Sequence, residues 1–171
     1  MRSPPARRLI TVIAGIAPIL IALLCAIIGV LPLNLPGLAA IGPALTLMAV
    51  YYWSIFAPLL LPPPAVFLIG LVQDLLGGGP IGLNALILLS VCGLVVNQRR
   101  VFMARAFHMA WFGFMFISVG VSLVSWAVVS LFYMHLLTPT PFLVQSGLSI
   151  TLYPISSWLF SRVHLDPAYR A

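Results

Sequence analysis

The chain has 171 residues, of which 63% are hydrophobic and 6% charged, and its mean hydropathy is +1.19. A water-soluble domain of this length could not hide so much apolar side chain beneath a polar surface, so the composition specifies an all-α integral membrane protein; a spanning barrel would alternate apolar and polar residues, whereas these apolar stretches are continuous. The net charge of +6 comes entirely from eight arginines, and without lysine or a basic folded face the chain does not read as a nucleic-acid binder.

A single transmembrane domain covers residues 1–171, with six predicted spans. The first, about 9–31, extends about 34 Å as a helix and crosses a bilayer with slight tilt. Pro18 is expected to kink it. The apolar stretch is too long for a signal-peptide core and lacks a small-x-small cleavage site, so it reads as a retained span. Pro32, Asn34, Pro36 and Gly37 form a turn before the second span, about 42–60. Tyr51, Tyr52 and Trp53 near its far end are expected to form an interfacial belt, and Pro58 with Pro62-Pro63-Pro64 closes it.

The third span, about 62–76, has an apolar part of only about 13 residues, or roughly 20 Å of helix, short enough to be re-entrant. Gly77-Gly78-Gly79-Pro80 ends it. The fourth span, about 81–97, stops at Asn97-Gln98-Arg99-Arg100. The fifth is about 106–134, and after the Thr138-Pro139-Thr140-Pro141 turn the sixth covers about 142–161, with Pro154 inside.

Arginine placement decides whether the third piece crosses. With six spans, Arg2, Arg7 and Arg8, the Arg99, Arg100 and Arg105 cluster, and Arg162 with Arg170 all fall on one side. Five spans would split them, so the positive-inside rule puts both termini in the cytoplasm. The third span must then be extended by Leu59–Leu61, tilted, or shielded by its neighbours. Cys25 and Cys92 read as small buried hydrophobes. His108, His135 and His164 sit at three different membrane edges and imply no metal site. No cofactor is expected.

Asp74 is the residue that most needs explaining. The only other acid is Asp166, in the tail, and a charge at the centre of a spanning helix costs roughly 2.5–3.5 kcal/mol. Six spans place Asp74 about one turn from the outer end of its helix, beside the glycine run and level with Asn84. Either the Asn84 side-chain amide or backbone donors of Gly77–Gly79 could satisfy it. A proton relay needs further acids or histidines nearby; none is present, so a structural lock on the helix hairpin is the preferred reading.

The glycine run is no phosphate cradle, because a P-loop requires a lysine. No Ser/His/Asp or Cys/His set can be assembled, and no Ser sits in a Gly-x-Ser-x-Gly elbow, so an enzyme is not expected. Ser118-Val119-Gly120-Val121-Ser122 and Ser122-Leu123-Val124-Ser125 put small residues on faces of the fifth span, as helix packing requires. Two functions remain: binding other membrane helices, or holding a small ligand between its own.

Gly70, Asp74, Gly78 and Gly82, in the pattern Gly-x-x-x-Asp-Leu-Leu-x-Gly-x-x-x-Gly, resemble the motif of the bacterial MreD family of rod-shape-determining proteins. Pro43 with the run ending Tyr51-Tyr52-Trp53, and Tyr153-Pro154 followed by Arg162, resemble that family's second and last spans. Gln73 and Gly77 depart from it, standing where a hydrophobic residue and Ser are usual. The resemblance implies a non-enzymatic scaffold of the bacterial inner membrane, multi-pass, within the elongation machinery for lateral peptidoglycan. It implies MreC as a partner through its transmembrane helix and periplasmic scaffold, with MreB, RodZ, RodA, a class B penicillin-binding transpeptidase and membrane lipids around it. It also implies a fold like the S components of energy-coupling-factor transporters, which supplies the rival reading: a vitamin- or lipid-binding subunit with a pocket opening outward near Asp74 and Tyr133. In the scaffold reading, Gly70, Asp74, Gly77, Gly78, Gly79, Gly82 and Asn84 shape the docking surface.

Overall fold

In a computed structural model the chain is all-helical, with no strand among the described residues, which are 5–30, 42–103, 107–134 and 138–164. Six helices follow in order: α1 Pro5–Val30, α2 Gly42–Phe56, α3 Pro63–Gly77, α4 Leu83–Met103, α5 Phe107–Phe132 and α6 Thr140–His164. The Pro32–Gly37 turn, Arg2, Arg105, His135, Asp166 and Arg170 lie outside the described residues.

Helix α2 is the centre of the bundle and packs against α1, α4 and α6. Met48, Tyr51, Trp53 and Ile55 are fully enclosed, and burial all round a helix is what an apolar sequence without a polar stripe produces. The expected interfacial belt is therefore a core instead. Tyr51, Tyr52 and Trp53 are buried because α2 is surrounded, a property that position along a span does not reveal. The Tyr51 hydroxyl donates to the Ala110 carbonyl at 2.8 Å, which meets the need of a buried phenol for a partner. Its ring lies edge-on to Phe114 and Tyr153, and these two stack at 4.3 Å. One aromatic cluster thus ties α2, α5 and α6 together.

Several boundaries differ from expectation for reasons of backbone chemistry. Proline has no N–H and its ring collides with the preceding turn, so Pro58 halts α2 at Phe56 rather than Leu60. Pro58–Leu60 forms a single 3₁₀ turn, with Leu59 94% exposed and Leu61 buried. These leucines do not lengthen the third span. Helix α3 starts at Pro63, where a missing N–H does no harm, and its 15 residues make about 22 Å. It packs on α1 and, most extensively, on α4. At the other extreme α4 runs on through Arg99 and Arg100 to Met103, because Gln and Arg are good helix formers.

Among the described residues one helix, Met109–Phe132, is long and apolar enough by itself to cross a membrane, and the apolar stretches Ile16–Gly29, Ala44–Phe56, Pro63–Gly77 and Leu83–Gln98 are shorter. Helix α6 is long but rich in hydroxyls. Ser149 donates to Gln145 O at 2.6 Å, Thr151 to Gly147 O at 2.9 Å and Ser156 to Leu152 O at 3.1 Å, so these hydroxyls find acceptors within the helix. The outward faces remain apolar, with Leu20, Leu24, Phe116, Leu123, Leu131 and Ile155 exposed. Helices apolar both inside and outside suit a bundle whose solvent is lipid.

Candidate functional site

The α3–α4 hairpin gathers the residues singled out in the sequence. Helix α3 ends at Gly77, and its C-cap Gly78 adopts φ +67°, a left-handed conformation that glycine enters without a Cβ penalty. The turn then leads to Gly82, at φ +96°, directly before α4. Gly82 occupies the N-cap position, where a Ser, Thr, Asp or Asn side chain would ordinarily accept the first free N–H groups. Glycine offers no such acceptor.

Asp74 supplies it from the preceding helix. Its Oδ2 accepts from the Gly82 N–H at 2.8 Å and the Ala85 N–H at 3.3 Å, and its Oδ1 accepts from the Asn84 N–H at 3.0 Å. The carboxylate is only 2% exposed. It is stabilised there by three charge-assisted hydrogen bonds and by the positive end of the α4 dipole. This corrects the expected donors: Asn84 contributes its main chain, not its amide, and Gly77–Gly79 contribute none of these three bonds. The recognisable signal is a helix that starts on glycine, with no local cap, eight residues after a buried acid.

Gly70 lies one turn before Asp74 on the same face. A Cβ there would fall 2.4 Å from the Ala85 Cα and 2.7 Å from its nitrogen, so the backbones of α3 and α4 meet at this point. Such contact requires glycine. Cβ atoms on Gly77, Gly78, Gly79 or Gly82 would meet nothing within 4 Å, which separates the glycine needed for space from Gly78 and Gly82, needed for backbone angle.

On its other side α4 faces α5, and here the two helices pack only in part. A groove of about 840 Å³ runs between them, lined by Leu86, Leu94, Gly113, Phe116, Gly120 and Val124 among others, and apolar apart from Ser90 and Gln98. Sequence reasoning singled out Gly120 as helix-packing surface but not this groove. Its α4 wall from Leu83 to Gln98 spans about 24 Å. A second, smaller cavity of about 210 Å³ lies beside Asp74 and is bounded by Gln73, Asn84, Ser125 and Gln145. Tyr133, expected at its mouth, is exposed and does not line it.

No arginine lines either feature among the described residues. Arg7 and Arg8 fall in the first turns of α1, and Arg99 and Arg100 in the last part of α4. Arg162, near the end of α6, places its guanidinium 4.9 Å from the Trp158 ring centre, a cation–π contact.

No curated protein and no solved structure matches the chain, so the expected likeness to the S components has no structural neighbour to carry it. The family model described as rod shape-determining protein MreD matches residues 6–163, which takes in all six helices and both walls of the groove. The chain belongs to the MreD family, a family of membrane proteins that determine rod shape.

Proposed function

We propose that this chain is a non-enzymatic scaffold of the rod complex in the bacterial inner membrane, and that its α4–α5 groove seats the transmembrane helix of MreC. The groove carries this reading. It is apolar and open along about 24 Å of α4, a length that approaches the roughly 30 Å hydrocarbon thickness a partner helix must cross. Gly113 and Gly120 on its α5 wall are the small residues that let helices approach closely in lipid. Family membership supports a role in the rod complex; MreB, RodZ, RodA and the class B transpeptidase are then reached directly or through MreC.

In this reading all six helices sit in the bilayer with both termini cytoplasmic. The short α3 is accommodated by packing against α1 and α4, and the α3–α4 turn faces the periplasm. The hairpin does not touch MreC through Asp74; it fixes α4, and α4 forms the wall.

Gly120→Leu tests the proposal. The glycine is exposed and a Cβ there meets no atom within 4 Å, so the variant is expected to fold normally while its side chain fills the groove. MreC recovered by pulldown should fall at least about tenfold, equivalent to roughly 1.4 kcal/mol, and rod-shaped cells should round up. Undiminished association with normal cell shape would sink the groove as the seat of MreC.

A further inference from the structure

The cavity beside Asp74 differs in chemistry from the groove. It lies between the α3–α4 hairpin and the α5–α6 pair, and its polar side chains other than Asp74 are the neutral amides of Gln73, Asn84 and Gln145 and the Ser125 hydroxyl. Gln73 is 3% exposed, and its Nε2 has no hydrogen-bond partner among the described residues. A buried amide left in this state is costly, and a guest offering an oxygen acceptor would relieve it.

Charge narrows the guest. The cavity is lined by no arginine or histidine among the described residues, and its one ionisable wall is the Asp74 carboxylate. An anionic phosphate would meet that carboxylate without a countercharge. Hydroxyl, ester or glycosidic oxygens match the amides instead, each able to accept from one of them.

Size and surroundings narrow it further. At about 210 Å³ the cavity is smaller than the roughly 300–1,000 Å³ of drug-sized sites, so it holds a fragment such as a sugar ring or a glycerol ester. It shares Pro80 and Leu83 with the apolar groove, so the two cavities adjoin there and an attached hydrocarbon chain has apolar surface directly beyond. We propose that this cavity binds the uncharged polar head of a lipid, with its hydroxyl or ester oxygens on Gln73, Asn84 and Gln145 and its chain entering the groove at Leu83. The site is independent of the MreC reading except at that end of the groove, where the lipid chain and a partner helix meet.

Native mass spectrometry of the full-length protein in detergent tests this, with monoglucosyl diacylglycerol as probe, phosphatidylglycerol of the same acyl chains as anionic comparison, and free glucose as competitor. The wild type should retain one glycolipid in preference to phosphatidylglycerol. Gln73→Leu and Gln145→Leu should each lower retention by about tenfold, as loss of a hydrogen bond in a dry site would, while recovering MreC as well as the wild type does. Gln145 is only half-buried, so its variant carries the test if Gln73→Leu does not fold. Displacement of the glycolipid by excess free glucose would support a head-group site, whereas equal retention of both lipids or unchanged retention in both variants would overturn the proposal. So would a photo-crosslinking residue at position 145 that captures MreC and no lipid.

Discussion

Helix α4 has two sides that are built in opposite ways. Towards α3 the backbones touch at Gly70 and Ala85, and a buried carboxylate holds the first turn of α4 through three N–H groups. Towards α5 it is separated by an apolar groove of about 840 Å³. In lipid the hydrophobic effect does not close such a gap, because acyl chains are as apolar as the side chains that line it. A groove can therefore stay open, and its shape is set by what holds its walls from behind. The tight side of α4 does that for the open side.

Gly70→Val strikes this arrangement hardest. Its Cβ would collide with backbone atoms rather than a yielding side chain, so the hairpin must part. Overpacking of this kind costs about 3 kcal/mol or more, and thermal melts in detergent should show a large fall in Tm or no folded protein. Asp74→Ala comes next. It leaves the Gly82, Asn84 and Ala85 N–H groups without their acceptor, for a loss of roughly 2–3 kcal/mol. Asp74→Asn keeps one acceptor oxygen and should lose less. If the hairpin supports the groove, MreC recovery should decline in the order wild type, Asp74→Asn, Asp74→Ala. A folded Asp74→Ala protein that binds MreC fully would separate the two sides of α4 and break the comparison.

How much of this could be read from the chain depends on the kind of interaction. Asp74 is legible because a lone acid in apolar sequence has few ways to be tolerated, and its carboxylate accepts from three N–H groups at the start of α4. Its partners were not legible, since backbone N–H groups have no letter in a sequence; the side chain of Asn84 drew attention that belonged to its main chain. The aromatic run Tyr51-Tyr52-Trp53 reads as an interfacial belt from its place near a span end, yet which side of a helix is covered depends on neighbours distant in sequence. Phe114 and Tyr153, which enclose Tyr51, lie 63 and 102 positions further on. The groove is hidden for the same reason, being a property of how two distant helices pack only in part against each other.

The glycine run offers the smallest effect and the finest distinction. Gly77, Gly78 and Gly79 look alike in sequence, and none has an atom within 4 Å of where a Cβ would lie. Space therefore permits alanine at all three. Backbone angle does not: Gly78 sits at φ +67°, where an L side chain adds about 1–2 kcal/mol, whereas Gly77 closes α3 in helical conformation and would gain up to about 1 kcal/mol from alanine by restricting the unfolded chain. Gly78→Ala should lower Tm and Gly77→Ala should leave it unchanged or raise it. Equal losses at the two positions would mean that the turn itself, and not the single left-handed cap, is what the hairpin requires.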